Sequence, residues 1–199
     1  MVGLHSKIVT KADLAAGKRL NALFAQLSKQ KYPPVHLWNP DLCGEIDMRI
    51  ARDGTWYYMG TPIKRPEMVR LFSGVLRHDD DGYYLVTPVE KLKIIVDDAP
   101  FLATSMEVEG KGEDQVLSFK THVGDLVVAD EDHPIWLGQD ERGDPLPHLL
   151  VRDRLEALIA RPVYYELAEL AQPMMIDGAE KIGVWSCGAF FPLGDLVED

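Results

Sequence analysis

The sequence predicts an α+β fold: two antiparallel β-sheet modules, each wrapped around one central helix, with a further helix ahead of the first. Three observations predict it. Apolar and polar residues alternate in short segments from Glu45 onward, the period of half-buried strands. Asp-Gly turn chemistry separates those segments, at Asp53-Gly54 and Asp80-Asp81-Gly82. Beyond the first helix, helical spacing of apolar residues recurs where a strand run has ended, after Pro66 and again after Arg152.

From the N-terminus, Asp13 to Lys31 reads as a helix, because Leu20, Leu23, Phe24 and Leu27 share one face. Pro33-Pro34 stops it. The irregular stretch His36–Gly44 follows, with turn residues at Asn39-Pro40-Asp41. Glu45–Ala51 and Thr55–Gly60 then form a hairpin about Asp53-Gly54. Pro66 opens a helix running to about Leu76, with Val69, Phe72 and Leu76 in its apolar stripe. Tyr83–Thr87 and Val89–Val96 return as strands.

Phe101–Glu109, Val116–Thr121, Asp125–Ala129, His133–Gly138 and Leu149–Val151 read as the strands of the second half. A helix is expected from Arg152 or Asp153, with Leu155, Leu158 and Ile159 inward and Pro162 restarting or kinking it. Ile182–Cys187 is a last short strand. Asp53-Gly-Thr-Trp56 and its following helix match Asp132-His-Pro-Ile-Trp136 and its following helix in outline. This suggests a duplication, with modules at 1–103 and 104–199.

Composition narrows function. The chain has 199 residues, an apolar fraction of 46%, and a net charge of −11. Residues 1–31 carry six basic residues and one acid, a net of +5, so the rest stands at −16. A body that acidic repels a phosphate backbone, which argues against binding DNA or RNA polymers. The basic first segment reads as a solvated face on an acidic body in preference to a membrane arm, although a protein partner remains a candidate. No apolar run approaches the roughly 20 residues of a membrane span. Two cysteines, Cys43 and Cys187, and no leader pattern at the start give the expectation of a reducing, cytoplasmic setting. Phosphate-loop, dinucleotide, G-x-S-x-G, H-E-x-x-H and C-x-x-C patterns are missing, so the sequence assigns no catalytic residue and names no cofactor.

Tyr57-Tyr-Met-Gly60, Thr61-Pro-Ile-Lys-Arg65, Val75-Leu-Arg-His-Asp79, Tyr84-Leu-Val-Thr-Pro88, Val89-Glu-Lys91 and Val96-Asp-Asp-Ala-Pro-Phe101 resemble the proteobacterial family called domain of unknown function 1285. The resemblance covers most of the chain and is densest from about Gly54 to Phe101. It implies two similar modules, the second like a pleckstrin-homology fold. It also implies a site for a nucleotide-like ligand where they meet, and a role in signalling. It brings no catalytic residues.

Candidate ligand-binding residues come from the residues themselves. Lys64 and Arg65 precede a helix start, where free N–H groups and two cations favour a small anion. Arg77 and Lys91 are further cations for such a ligand, and Lys91 can reach a module junction. Trp56 is either a stacking surface for a base or, as is commoner for a hairpin tryptophan, core packing. Trp136 is placed as its counterpart in the second half. Asp97-Asp98 could hold a metal for hydrolysis, but neighbouring strand residues face opposite ways. His122, His133 and His148 lack metal-ligand spacing. The reading is a cytoplasmic module for a small anionic ligand, with a metal-assisted hydrolase and a protein-interaction adaptor as alternatives.

Overall fold

A computed structural model describes residues 33–140 and 142–195, so the helix expected over 13–31 lies outside the described residues. Among them are fifteen strands and two helices, Pro66–Ser73 and Arg161–Glu169, so the protein is mostly β. The first sheet comprises β1 (Leu42–Ile50), β2 (Trp56–Tyr58), β3 (Thr61–Pro62), β4 (Leu76–Asp79), β5 (Gly82–Val86) and β6 (Lys91–Val96). The second comprises β7 (Phe101–Glu109), β8 (Val116–Thr121), β9 (Leu126–Val128), β10 (Ile135–Gln139), β11 (Pro145–Arg152) and β12 (Leu155–Ile159). A third, smaller sheet holds β13 (Gln172–Ile176), β14 (Ala179–Ser186) and β15 (Ala189–Asp195) in sequential order.

The duplication is written in the topology. The first sheet runs β3-β2-β1-β6-β5-β4, and the second runs β9-β8-β7-β12-β11-β10. Counted within each module, both orders are 3-2-1-6-5-4. In each, the first and last strands lie side by side and parallel, as β1 with β6 and β7 with β12. The sheets are therefore mixed and not purely antiparallel, as the hairpin-rich sequence suggests. Two hairpin chains placed back to back bring their outer ends together in one direction.

The helices break the repeat. In the first module the helix lies between the third and fourth strands, and in the second it follows the sixth. Trp56 sits on a second strand and Trp136 on a fourth, so they are not counterparts. Leu155–Ile159 is a strand, not a helix. Its apolar spacing satisfies both periods. What decides is a tight turn at Asp153, with φ of 48°, which returns the chain antiparallel to β11. Pro162 then sits in the first turn of the helix, where a missing N–H costs nothing. The Pro66 helix also ends earlier than its stripe suggests, at Ser73, and Leu76 begins a strand.

One apolar core runs through both modules. Ile50, Trp56 and Phe72 of the first join Phe101, Phe119 and Leu155 of the second. Polar ties cross the seam as well. Arg70 Nε donates to the Val123 carbonyl (3.0 Å), and Arg152 Nη2 donates to the Ser73 carbonyl (2.7 Å). Among the described residues this packing joins the two modules along the seam.

Candidate functional site

The strand period puts Arg77 and Asp79 of β4 on one face, and Lys91 and Lys93 of β6 on one face. Tyr84 pairs with Arg77 on one side and Lys93 on the other, so all share the outer face of the first sheet. Segment 35–38 lies over that face, with Val35 and Trp38 packed on Tyr84 and Val86. At the edge strand β4, the β11–β12 turn of the second module comes alongside. The three pieces enclose a cleft of about 390 Å³, lined by His36, Arg77, His78, Asp79, Lys91 and Arg154 among others.

Asp79 is the hub. It accepts from Arg77 Nη2 (2.9 Å) and pairs with Lys91 Nζ (2.7 Å). Arg77 Nε is 2.8 Å from its other oxygen but out of hydrogen-bond alignment, so that contact is Coulombic only. Burial pushes the Asp79 carboxyl up, and the two cations more than reverse this, leaving it below its ordinary value. Arg77 is anchored at its far side by donating to the Trp38 carbonyl (2.6 Å). Lys91 lies over the Tyr84 ring, 4.0 Å from its centroid, a cation–π contact. The Tyr84 hydroxyl donates to Asp81 (2.6 Å), and that bond to a carboxylate pushes its pKa up to about 12.

The second module contributes Arg154, whose Nη1 pairs with Asp80 (2.7 Å). Its carbonyl accepts from His78 Nδ1 (3.1 Å), which fixes the proton on that nitrogen when the ring is neutral. His78 stacks on Tyr83 (4.1 Å), whose hydroxyl donates across the seam to Glu156 (2.6 Å). The cleft therefore presents three cations from two modules against Asp79 and Asp153.

Arg77 and Lys91, expected from the sequence, thus lie together in the cleft, with side chains only 17% and 18% exposed. Lys64 and Arg65 do not join them. Lys64 lines a separate hollow of about 240 Å³ with Trp56, Arg70 and His122, and Arg65 is exposed. Trp56 is 1% exposed and stacked on Phe72, so its ring has no open face for a base. Asp97 and Asp98 are each gripped through two nitrogens by an arginine, Arg49 and Arg52 respectively. Among the described residues no three acidic, histidine or cysteine side chains cluster as metal ligands. No described helix is long and apolar enough to cross a membrane.

The sequence reading missed Asp79, His78 and Arg154. Asp79 was within reach, since it shares a strand face with Arg77. Arg154 was not, because it reaches the cleft from a turn 77 positions away that a mistaken helix had hidden.

Comparison with known proteins follows the same two-part division. A family model described as domain of unknown function DUF1285, N-terminal domain, matches residues 33–99, and the corresponding C-terminal domain model matches 100–193. A solved DUF1285 family protein from Silicibacter pomeroyi is 54% identical, with a TM-score of 0.82 over 89% of this chain and 95% of that one. Another, from Shewanella baltica, is 27% identical, with a TM-score of 0.49 over 61% of this chain and 90% of that one. No curated protein matches the chain. With both family models in sequence along it and a crystallised relative at that identity, the chain belongs to the DUF1285 family.

Proposed function

We propose that this protein is a non-catalytic binding module that takes a small, multiply charged anion, nucleotide-like in character, in the cleft between its modules. The observation that carries the reading is the gathering of Arg77, Lys91 and Arg154 from two modules around one cleft of about 390 Å³. Arg77 and Lys91 are mostly buried, and such cations bind anions more strongly than exposed ones like Arg154, because less solvent screens them. The His78 ring on the wall offers a planar polar surface beside those charges. We read the second module as pleckstrin-homology-like, since a single helix follows its six-strand sheet, and the biological setting as cytoplasmic signal transduction. A metal-assisted hydrolase would require the arginine clamps on Asp97 and Asp98 to open, and an adaptor role would draw on residues 1–31.

Thermal unfolding with inorganic pyrophosphate and with a nucleoside monophosphate tests this. A ligand selective for the native state raises the midpoint. Lys91→Met keeps the stem over Tyr84 and removes the charge, so binding should weaken by about 1–3 kcal/mol. If neither anion shifts the wild-type midpoint at millimolar concentration, or if Lys91→Met binds unchanged, the reading is wrong.

A further inference from the structure

A second cleft, of about 380 Å³, opens on the other face of the second sheet. Its floor departs from the usual pattern of strands. In β12 the period turns Leu155, Ala157 and Ile159 into the core, which leaves Leu158 pointing outward. Leu158 is paired in register with Leu102 of β7 on one side and His148 of β11 on the other. His148 is paired in turn with Trp136 of β10 and stacked on it (5.3 Å between ring centroids). An outward row across four strands should be polar if it met only water. Here it is apolar and aromatic, and Leu158 is 8% exposed. Leu102, Leu146 and Leu158 line the cleft, and Tyr164 of the Arg161 helix walls it.

Two arginines border this apolar floor. Arg52, from the β1–β2 turn of the first module, is already held by Asp98. Arg161, the first residue of the helix, has no ion pair among the described residues. Two carboxylates also line the cleft. Asp140 is turned back on its own loop, accepting the Arg142 and Asp144 backbone N–H groups (2.8 and 2.9 Å), and Asp144 is exposed. Asp140 is met by those two N–H groups and Asp144 faces solvent, so among the described residues Arg161 is the lining cation left to meet a carboxylate, and the two acids disfavour a ligand carrying further negative charge. Apolar lining with a few placed polar groups is the usual make-up of a small-molecule site.

We propose that this cleft is a separate binding site for a small apolar monocarboxylate, its carboxylate on Arg161 and its body against Leu102, Leu146 and Leu158. It is independent of the anion cleft at Lys91, because the two share no residue.

Ligand-observed NMR on the full chain tests it, with 3-phenylpropanoate as the probe and 3-phenylpropylamine as its cationic counterpart. The carboxylate should bind and the amine should not. Arg161→Glu changes an exposed residue and should weaken carboxylate binding about tenfold or more. Leu146→Glu, half-buried on the floor, should do the same, while Lys91→Met should leave it unchanged. The proposal is overturned if the wild-type chain fails to bind the carboxylate at millimolar concentration. It is equally overturned if the amine binds as well, or if folded Arg161→Glu retains the affinity.

Discussion

Asp79 occupies the cations that the anion cleft would offer a ligand. Arg77 and Lys91 both lean on it, so an incoming anion must replace a carboxylate already in place. A dianion can do so more readily than a monoanion, since the Coulomb gain scales with charge. Asp79→Asn should therefore tighten pyrophosphate binding, by about tenfold if one competing charge near a protein surface is removed. Isothermal titration would read it, and weaker binding in that variant would show that Asp79 supports the site and does not compete for it. Two histidines set a second residue-scale expectation. Burial holds both His122 and His148 below the ordinary histidine range. The unfolded chain takes up those protons near roughly pH 6.5, the folded chain only at lower pH. The stability this contributes is complete above that pH and is lost as the pH falls through the folded values. His122 Nδ1 accepts the Leu102 N–H (3.1 Å), a role glutamine can keep without titrating. His122→Gln should flatten the fall in melting temperature between about pH 7 and pH 5, with His148 contributing to the slope that remains.

At the scale of elements, hairpins and edges carry the build. Gly54 supplies the positive φ of 80° for the β1–β2 turn, and its flat surface faces the His122 ring of the other module. Gly183 in β14 is tighter, because a Cβ there would sit 2.3 Å from the Phe191 carbonyl oxygen in the paired strand β15. Gly183→Ala should destabilise the fold by about 1–3 kcal/mol through overpacking, seen as a lower denaturant midpoint at unchanged slope. Arg152 ties elements across the seam. It pairs with Asp125 (2.6 Å), donates to Ser73 at the end of the Pro66 helix, and lies over the Phe101 ring. Arg152→Met keeps much of the stem and should cost about 2 kcal/mol, the scale of lost hydrogen bonds to a charged group. The turns, and strands such as Phe101–Glu109 and Val116–Thr121, were legible, since Pro100 and Gly110 bracket the first, Gly112 and Gly124 lie just outside the second, and both are rich in β-prone residues. Leu155–Ile159 was not, because five apolar-rich residues fit either period when both faces are covered. The three-stranded sheet was half legible: only the stretch around Ile182–Ser186 stands out, and its partners Gln172–Ile176 and Ala189–Asp195 carry proline or glycine that reads as a break.

For the whole molecule, the shared core makes the modules one unit. Phe72 and Trp56 from one side pack in the same apolar cluster as Phe101 and Leu155 from the other. Unfolding should therefore be a single transition, with Trp56 and Trp185 losing their environments together in fluorescence and circular dichroism. Two separated transitions would mean the seam is weaker than its packing implies. Strand period and turn chemistry, both local, determined most of the hairpins and the duplicated β character, and positive charge made Arg77 and Lys91 candidates. The tertiary structure alone decided that β1 meets β6 and β7 meets β12, that Arg154 joins those cations, and that Trp56 is sealed inside. These pairings join residues tens of positions apart, and alternation says which side of a strand a residue faces, not which distant strand it will lie beside.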